Sequence, residues 1–238
     1  MESIDKLKGT YEKKLENDSS HATASAAVIR RLPRYHRYLG ELLRQGRLRI
    51  SSNELSKMMK VTASQIRQDL NCFGGFGQQG YGYNVKYLYG KISELLGVIE
   101  GYRAVIVGAG NLGHALAATH MFERRGVDRV AMFDTDKSLI GTKICDTPVY
   151  DVATLEEFCK TKNIDIGVLC VPKEAAYDVT MTLIKSGVKG IWNFSNTELQ
   201  IKDPGVVVEN IHLGDSLMRL CYELKTLNES EEKDDDRV

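Results

Sequence analysis

The run YRAVIVGAGNLGHALA, residues 102–117, decides how this chain is read. An apolar segment leads into Gly108-x-Gly110-x-x-Gly113, and a helix-favouring segment follows. Strand, glycine turn, helix is the order that cradles a dinucleotide pyrophosphate. Gly108 allows the tight turn, Gly110 admits the phosphates, and Gly113 lets the helix pack close to the strand. Ala109, Asn111 and Leu112 complete the loop and first helical turn, whose free N–H groups and positive dipole favour an anion. Asp134 closes the next apolar segment, RVAMFD, 21 residues beyond Gly113. A carboxylate there holds a ribose 2′-hydroxyl and repels a 2′-phosphate, so the motif favours NAD(H) over NADP(H).

Downstream, DIGVLCVP (165–172), VKGIWNFS (188–195) and GVVVENI (205–211) read as strands, separated by helical stretches at 154–162 and 174–186. Strands alternating with helices imply a parallel sheet, an α/β Rossmann-like domain over 91–211. Cys170, Val171 and Pro172 end one strand, and Asn193 and Phe194 end another, at the carboxyl edge where a nicotinamide pocket forms. Cys170 reads as a packed thiol, with a redox-reactive one as the alternative. No substrate domain follows: residues 212–228 read as one helix, and ESEEKDDDRV (229–238) reads as a disordered acidic tail. His114 and His120 lie in the first helix of the domain, so no acid or base stands at the nicotinamide. This implies nucleotide binding without turnover and no catalytic residue.

Upstream, Leu32, Tyr35, Leu39, Leu42 and Leu43 recur at helical spacing, with Pro33 expected near the first turn and Gly46 as the stop. RLRI (47–50) is extended. Ser51–Glu54 and Thr62–Gln65 are two capping boxes opening two further helices. Ile66 and Leu70 face inward, while Ser64, Gln65, Arg67 and Gln68 face away. NCFGGFGQQGYGYNV (71–85) then brings five glycines and four aromatics with no charge. Its glycines bend and its aromatics pack, which suits the hairpin of a winged helix better than a glycine-rich linker. The winged-helix domain is placed at 21–90, after a mobile or loosely helical tail at 1–20, and a connecting helix is expected at 86–101.

The formal net charge is zero, but residues 1–90 carry 15 Lys+Arg against 8 Asp+Glu, and 91–238 carry 17 against 24. A basic front half on an acidic partner is the footprint of one part meeting a polyanion. No apolar run approaches the roughly 18 residues that span a bilayer. The charged N-terminus lacks the apolar core of a signal peptide, so a cytoplasmic location is expected. Five scattered cysteines without a CxxC suggest neither a disulfide frame nor a metal site.

The segments RRLPRYHRYL (30–39), TASQIRQDL (62–70), VGAGNLG (107–113), FDTD (133–136), VLCVP (168–172) and VENI (208–211) are together specific. From about Ala24 to Leu227 the chain resembles the Rex family of bacterial redox-sensing transcriptional repressors. The resemblance implies a homodimer that exchanges its C-terminal helices, binds a palindromic double-stranded DNA operator, and is released by NADH. Carried onto this sequence, it puts DNA contacts at Arg30, Arg31, Ser52, Ser64, Gln65, Arg67, Gln68, Gln79 and Tyr83. It puts a sensing relay at Arg37, Thr119 and His212. Four positions depart from the family pattern: Gln68 and Gln79 stand where basic residues are usual, Thr119 for a tyrosine, and His212 for an aspartate. Two alternatives stay open. One is a diverged paralogue that binds NAD(H) with altered sensing or weak DNA binding; the other is an oxidoreductase or CoA-binding enzyme on the same fold.

Overall fold

The computed structural model describes residues 25–73, 77–78 and 82–235, without the side chains of 77–78 and 230–235. The tail expected at 1–20 and Gln79 lie outside the described residues. The chain divides into two compact units, Met1–Val98 and Ile99–Val238.

The first unit holds α1 (Ala26–Arg44), β1 (Arg49–Ile50), α2 (Ser52–Met59), α3 (Ala63–Asn71), β2 (Gly77–Gln78), β3 (Gly82–Asn84) and α4 (Val85–Leu95). Its antiparallel sheet has the order β1-β3-β2, so β2 and β3 form the wing hairpin. Gly82 is required there: its φ is +68°, and a Cβ would stand 2.7 Å from the Ile50 carbonyl oxygen. Along α1, Val28, Leu32, Tyr35, Leu39 and Leu42 are buried, the stripe an amphipathic helix must hide. Pro33 lies two turns inside α1 and not near its first turn, because the Ser25 cap sets the start at Ala26. It is tolerated on the exposed face, where water can reach the Ile29 carbonyl that it leaves without a donor.

The Ser51 capping box is complete, and the Ser51 N–H, Arg47 and the Ser51 hydroxyl hold the Glu54 carboxyl down at about 2. The second box is only half made. The Thr62 hydroxyl accepts the Gln65 N–H at 3.1 Å, but the Gln65 side chain turns to Asp69 instead. The expected connecting helix ends at Leu95, and the boundary drawn at 90/91 would cut through it. Val85, Leu88 and Ile92 are fully buried in one cluster with Tyr35 and Leu39, so α4 belongs wholly to the first unit.

One buried carboxylate ties α3 to α1. Asp69, with 1% of its side chain exposed, accepts from Arg31 Nε and an Arg31 terminal nitrogen at 2.7 Å each, from Gln65 Nε2 at 2.8 Å and from the Tyr35 hydroxyl at 2.9 Å. Four donors fill the roughly four lone-pair positions of a carboxylate. Burial pushes the Asp69 carboxyl up, but the hydrogen bonds from Arg31, Gln65 and Tyr35 outweigh it and leave the group below its ordinary value.

The second unit holds β4 (Tyr102–Val107), α5 (Asn111–Ala117), β5 (Val127–Asp134), β6 (Lys143–Ile144), β7 (Thr147–Asp151), α6 (Leu155–Lys162), β8 (Ile166–Leu169), α7 (Lys173–Lys185), β9 (Gly190–Asn193), β10 (Val207–Asn210) and α8 (Leu213–Asp235). The sheet order is β10-β9-β8-β4-β5-β7-β6, parallel except for β6, which forms a hairpin with β7. Alternate residues of the central strand serve opposite faces. Val105 and Val107 join the cluster under α6 and α7, while Ala104 and Ile106 join the one with Ala117 of α5.

The helix α8 continues to Asp235, past the 228 limit expected for it, and takes in most of the segment read as disordered. Glu and Lys are strong helix formers, and Lys225 pairs with Glu229 one turn on at 3.6 Å. Leu213, Leu217, Leu220 and Leu224 recur along α8 at spacings of four, three and four, each 50–61% exposed.

Replacing Asp69 by alanine strands the Arg31 charge and the Tyr35 hydroxyl, and should cost the first unit about 3 kcal/mol in urea melts. Because the folded value is depressed, the carboxylate's contribution is complete above its ordinary value of 3.8 and is lost as pH falls through the folded value. An acid titration of Asp69→Asn should lack that loss.

Candidate functional site

In the second unit the strand order reverses between β4 and β8, and a crevice opens at their carboxyl ends. Gly108 follows β4 with φ +100°, and a Cβ on it would stand 2.5 Å from the Cys170 carbonyl oxygen at the end of β8. A Cβ on Gly113 would overlap the Gly108 carbonyl oxygen, so α5 can lie against the loop only without one. Gly110 is different: nothing stands within 4 Å of its Cβ position, and it is exposed. Two glycines let the protein close on itself, and the third leaves space beside the start of α5. Asp134 reaches this loop. Its Oδ2 accepts the Ala109 N–H at 2.6 Å, and its Oδ1 accepts the Asp136 N–H at 2.9 Å. Two lone-pair positions remain for a diol. The residues present therefore fit a dinucleotide.

The other predicted lining residues divide. Asn111 is exposed, Leu112, Val171 and Phe194 are half-buried, and Pro172 caps α7. Phe194 packs on Trp192, ring centroids 4.7 Å apart. Burial pushes the Cys170 thiol up to about 12, which makes it a packed thiol and not a thiolate. The Asn193 side chain is not free to line a pocket. Its Nδ2 donates to the Thr197 carbonyl at 2.6 Å and to Asn210 Oδ1 at 2.8 Å, and its Oδ1 accepts from the Ser195 hydroxyl and N–H. It fastens the end of β9 to the end of β10.

In the first unit, α3 is fixed by its inward face, Ile66, Asp69 and Leu70. Ser64, Arg67, Gln68 and Asn71 are exposed at spacings of three, one and three, which is one helical stripe. An Arg67 guanidinium nitrogen donates to the Ser52 hydroxyl of α2 at 3.1 Å. Arg30 is exposed on α1. Three residues expected at DNA are engaged inside the unit. Arg31 and Gln65 are committed to Asp69, and Tyr83 is 7% exposed in the core. Each is a polar or aromatic side chain whose better partner lies inside the unit. Asp69 carries no sequence motif of its own; its signal is the placing of Arg31, Tyr35, Gln65 and Asp69 at facing positions on two helices. Of the three relay residues, Arg37 lies in the first unit and Thr119 and His212 in the second. Arg37 is exposed with its guanidinium carbon 5.4 Å from the centroid of the Tyr38 ring. The Thr119 hydroxyl donates to the Leu116 carbonyl, and half-buried His212 precedes α8.

Residues 24–71 match a family model described as a putative DNA-binding protein N-terminus, and 99–197 match one described as a CoA binding domain. A redox-sensing transcriptional repressor Rex from Thermoanaerobacter sp. (strain X514) is 52% identical over 87% of this chain and 92% of its own length. One from Clostridioides difficile (strain 630) is 54% identical over 84% of this chain and 95% of its own. The chain belongs to the Rex family. A solved Rex-family repressor, RSP in complex with β-NAD+ and operator DNA, is 51% identical with a TM-score of 0.80, over 87% of this chain and 95% of that one. RSP in complex with β-NADH is 46% identical with a TM-score of 0.79, over 89% and 98%. Rex proteins are redox-sensing repressors and not enzymes, which sets aside the oxidoreductase and CoA-binding alternatives. The CoA-domain match reflects the shared Rossmann-like sheet.

The glycines separate folding from binding. Gly110→Ala should leave the melting temperature nearly unchanged and lower affinity for NADH by at least about tenfold in calorimetry, since its methyl enters the phosphate space. Gly113→Ala should destabilise the protein by more than about 2 kcal/mol, since its methyl enters the Gly108 carbonyl.

Proposed function

We propose that this Rex-family chain binds operator DNA through α3 and the wing, and NAD(H) through the Gly108–Gly113 loop and Asp134, as a dimer that NADH releases from DNA. The observation that carries this is the open space at Gly110 beside the start of α5, next to the Asp134 carboxylate, while neither Cys170 nor Asn193 offers an acid or base at the predicted nicotinamide end. The Cys170 thiol is held at about 12 and the Asn193 amide is fully engaged. Such a site reads a nucleotide without turning it over. Arg67 is the exposed cation of the α3 stripe, and Arg30 adds a second on α1. Gln68 and Gln79 replace cations, so fewer counterions leave the DNA and the salt dependence is shallower than two further charges would give.

The exposed leucines of α8 follow a coiled-coil period, which supports a second copy of this chain as their cover. Arg37, Thr119 and His212 are the proposed route from nucleotide to DNA, with hydroxyl and imidazole chemistry where the family pattern has phenol and carboxylate. The protein works in the cytoplasm, where its DNA and its nucleotide are.

A gel-shift titration on a palindromic operator at low salt should show a dimer complex that NADH dissolves at lower concentration than NAD. Absence of any shift removes the DNA reading. Near-equal affinities for the two nucleotides by calorimetry remove the redox response while leaving nucleotide binding intact.

A further inference from the structure

The DNA-reading helix carries three carboxamides, and the structure separates them. The Gln65 amide donates to Asp69 at 2.8 Å and is half-buried, so it serves the fold. Gln68 and Asn71 are both exposed, and among the described residues neither side-chain amide has a partner. With Ser64 and Arg67 they make up the outward stripe of α3. Only one of the four is charged.

A neutral amide gains little from phosphate, because it releases no counterion. Its strong partner in the major groove is adenine, whose N6–H2 and N7 match the amide oxygen and nitrogen in a two-point contact. A lysine or arginine at the same place pairs with guanine O6 and N7 instead. Gln68 and Asn71 lie three residues apart, about 4.5 Å along the helix axis. Successive base pairs are separated by about 3.4 Å, so the two amides meet neighbouring base pairs. The helix that holds them is fixed at its back by the Asp69 hydrogen bonds, and Arg67 beside them is braced by the Ser52 hydroxyl. Two unengaged amides on a clamped helix can read sequence, because the backbone that carries them is held in place while their hydrogen-bonding groups stay available.

We infer that Gln68 and Asn71 are the base-specifying residues of this repressor and that each selects adenine, at two neighbouring positions of every half-site. The inference rests on the DNA-binding reading of α3 given above. It assigns Asn71 to the interface and makes Gln68 a selector of a different base from the one a cation would choose.

The test is selection from a random double-stranded DNA library with the full-length protein at fixed low salt, followed by affinity measurements on the selected site and its single-base variants. Both residues are exposed, so Gln68→Ala, Asn71→Ala and Gln68→Lys should keep the wild-type melting temperature. The wild type should prefer adenine at two adjacent pairs by about tenfold each, the range of a good two-point contact. Gln68→Ala should erase the preference at one pair and Asn71→Ala at its neighbour. Gln68→Lys should turn the first preference from adenine to guanine. Equal loss of affinity on every sequence would overturn the inference, since it would place the amides on the phosphates, and so would unchanged preferences. If the wild type selects no sequence and binds no DNA, the DNA-binding reading itself fails and takes this inference with it.

Discussion

Asp69 places a carboxylate, with 1% of its side chain exposed, in a helical head whose core is otherwise largely apolar. Left alone there, an ionised carboxylate would cost several kcal/mol. Arg31 and Tyr35 of α1 and Gln65 of α3 offset that cost by occupying its lone pairs. The same bonds fix the rotation of α3 about its axis. A helix that only buried Ile66 and Leu70 could roll by several degrees and remain packed. One whose carboxylate must meet a planar guanidinium cannot. What faces outward, Ser64, Arg67, Gln68 and Asn71, is therefore decided from within.

The second unit meets a similar constraint with backbone alone. Gly108 and Gly113 let the β4–α5 turn close against the end of β8, and Gly110 keeps the resulting corner open. Asp134 spans the gap to the loop through the Ala109 N–H. The two faces of the sheet are filled by alternate residues of the same strands, so the strand ends at the crevice edge are left to offer polar groups to a ligand.

Much of this was legible in the sequence because period and glycine position are local signals. The strand–turn–helix at 102–117, the acidic residue at 134, the α1 stripe and the hairpin after α3 each follow from spacing. What was hidden depended on which partner a side chain takes in the fold. Arg31 and Gln65 look like surface residues until Asp69 is seen between them, 38 and 4 positions away. Tyr83 looks like a tip residue until β3 pairs with β1 and turns it into the core. The strand β7, TPVYD, is short and contains Pro148, which breaks the pattern that marks its neighbours. Asn193 sat at the expected strand end, but only the fold reveals that Asn210 and Thr197 engage its amide. The acidic end of the chain reads as disordered by charge alone, yet the helix propensity of Glu and Lys carries α8 on to Asp235.

The leucine repeat of α8 carries a consequence for abundance. A surface of this kind is hidden by association, so on the proposed pairing folding and assembly are one equilibrium, and the stability of each subunit depends on how many others are present. Dilute protein would expose leucine and lose both its partner and part of its fold. Occupancy of a two-part operator would then rise more steeply than in proportion to the number of chains, since dimers form as the square of monomer concentration. The cell would set repression through the amount of this protein as well as through its nucleotide.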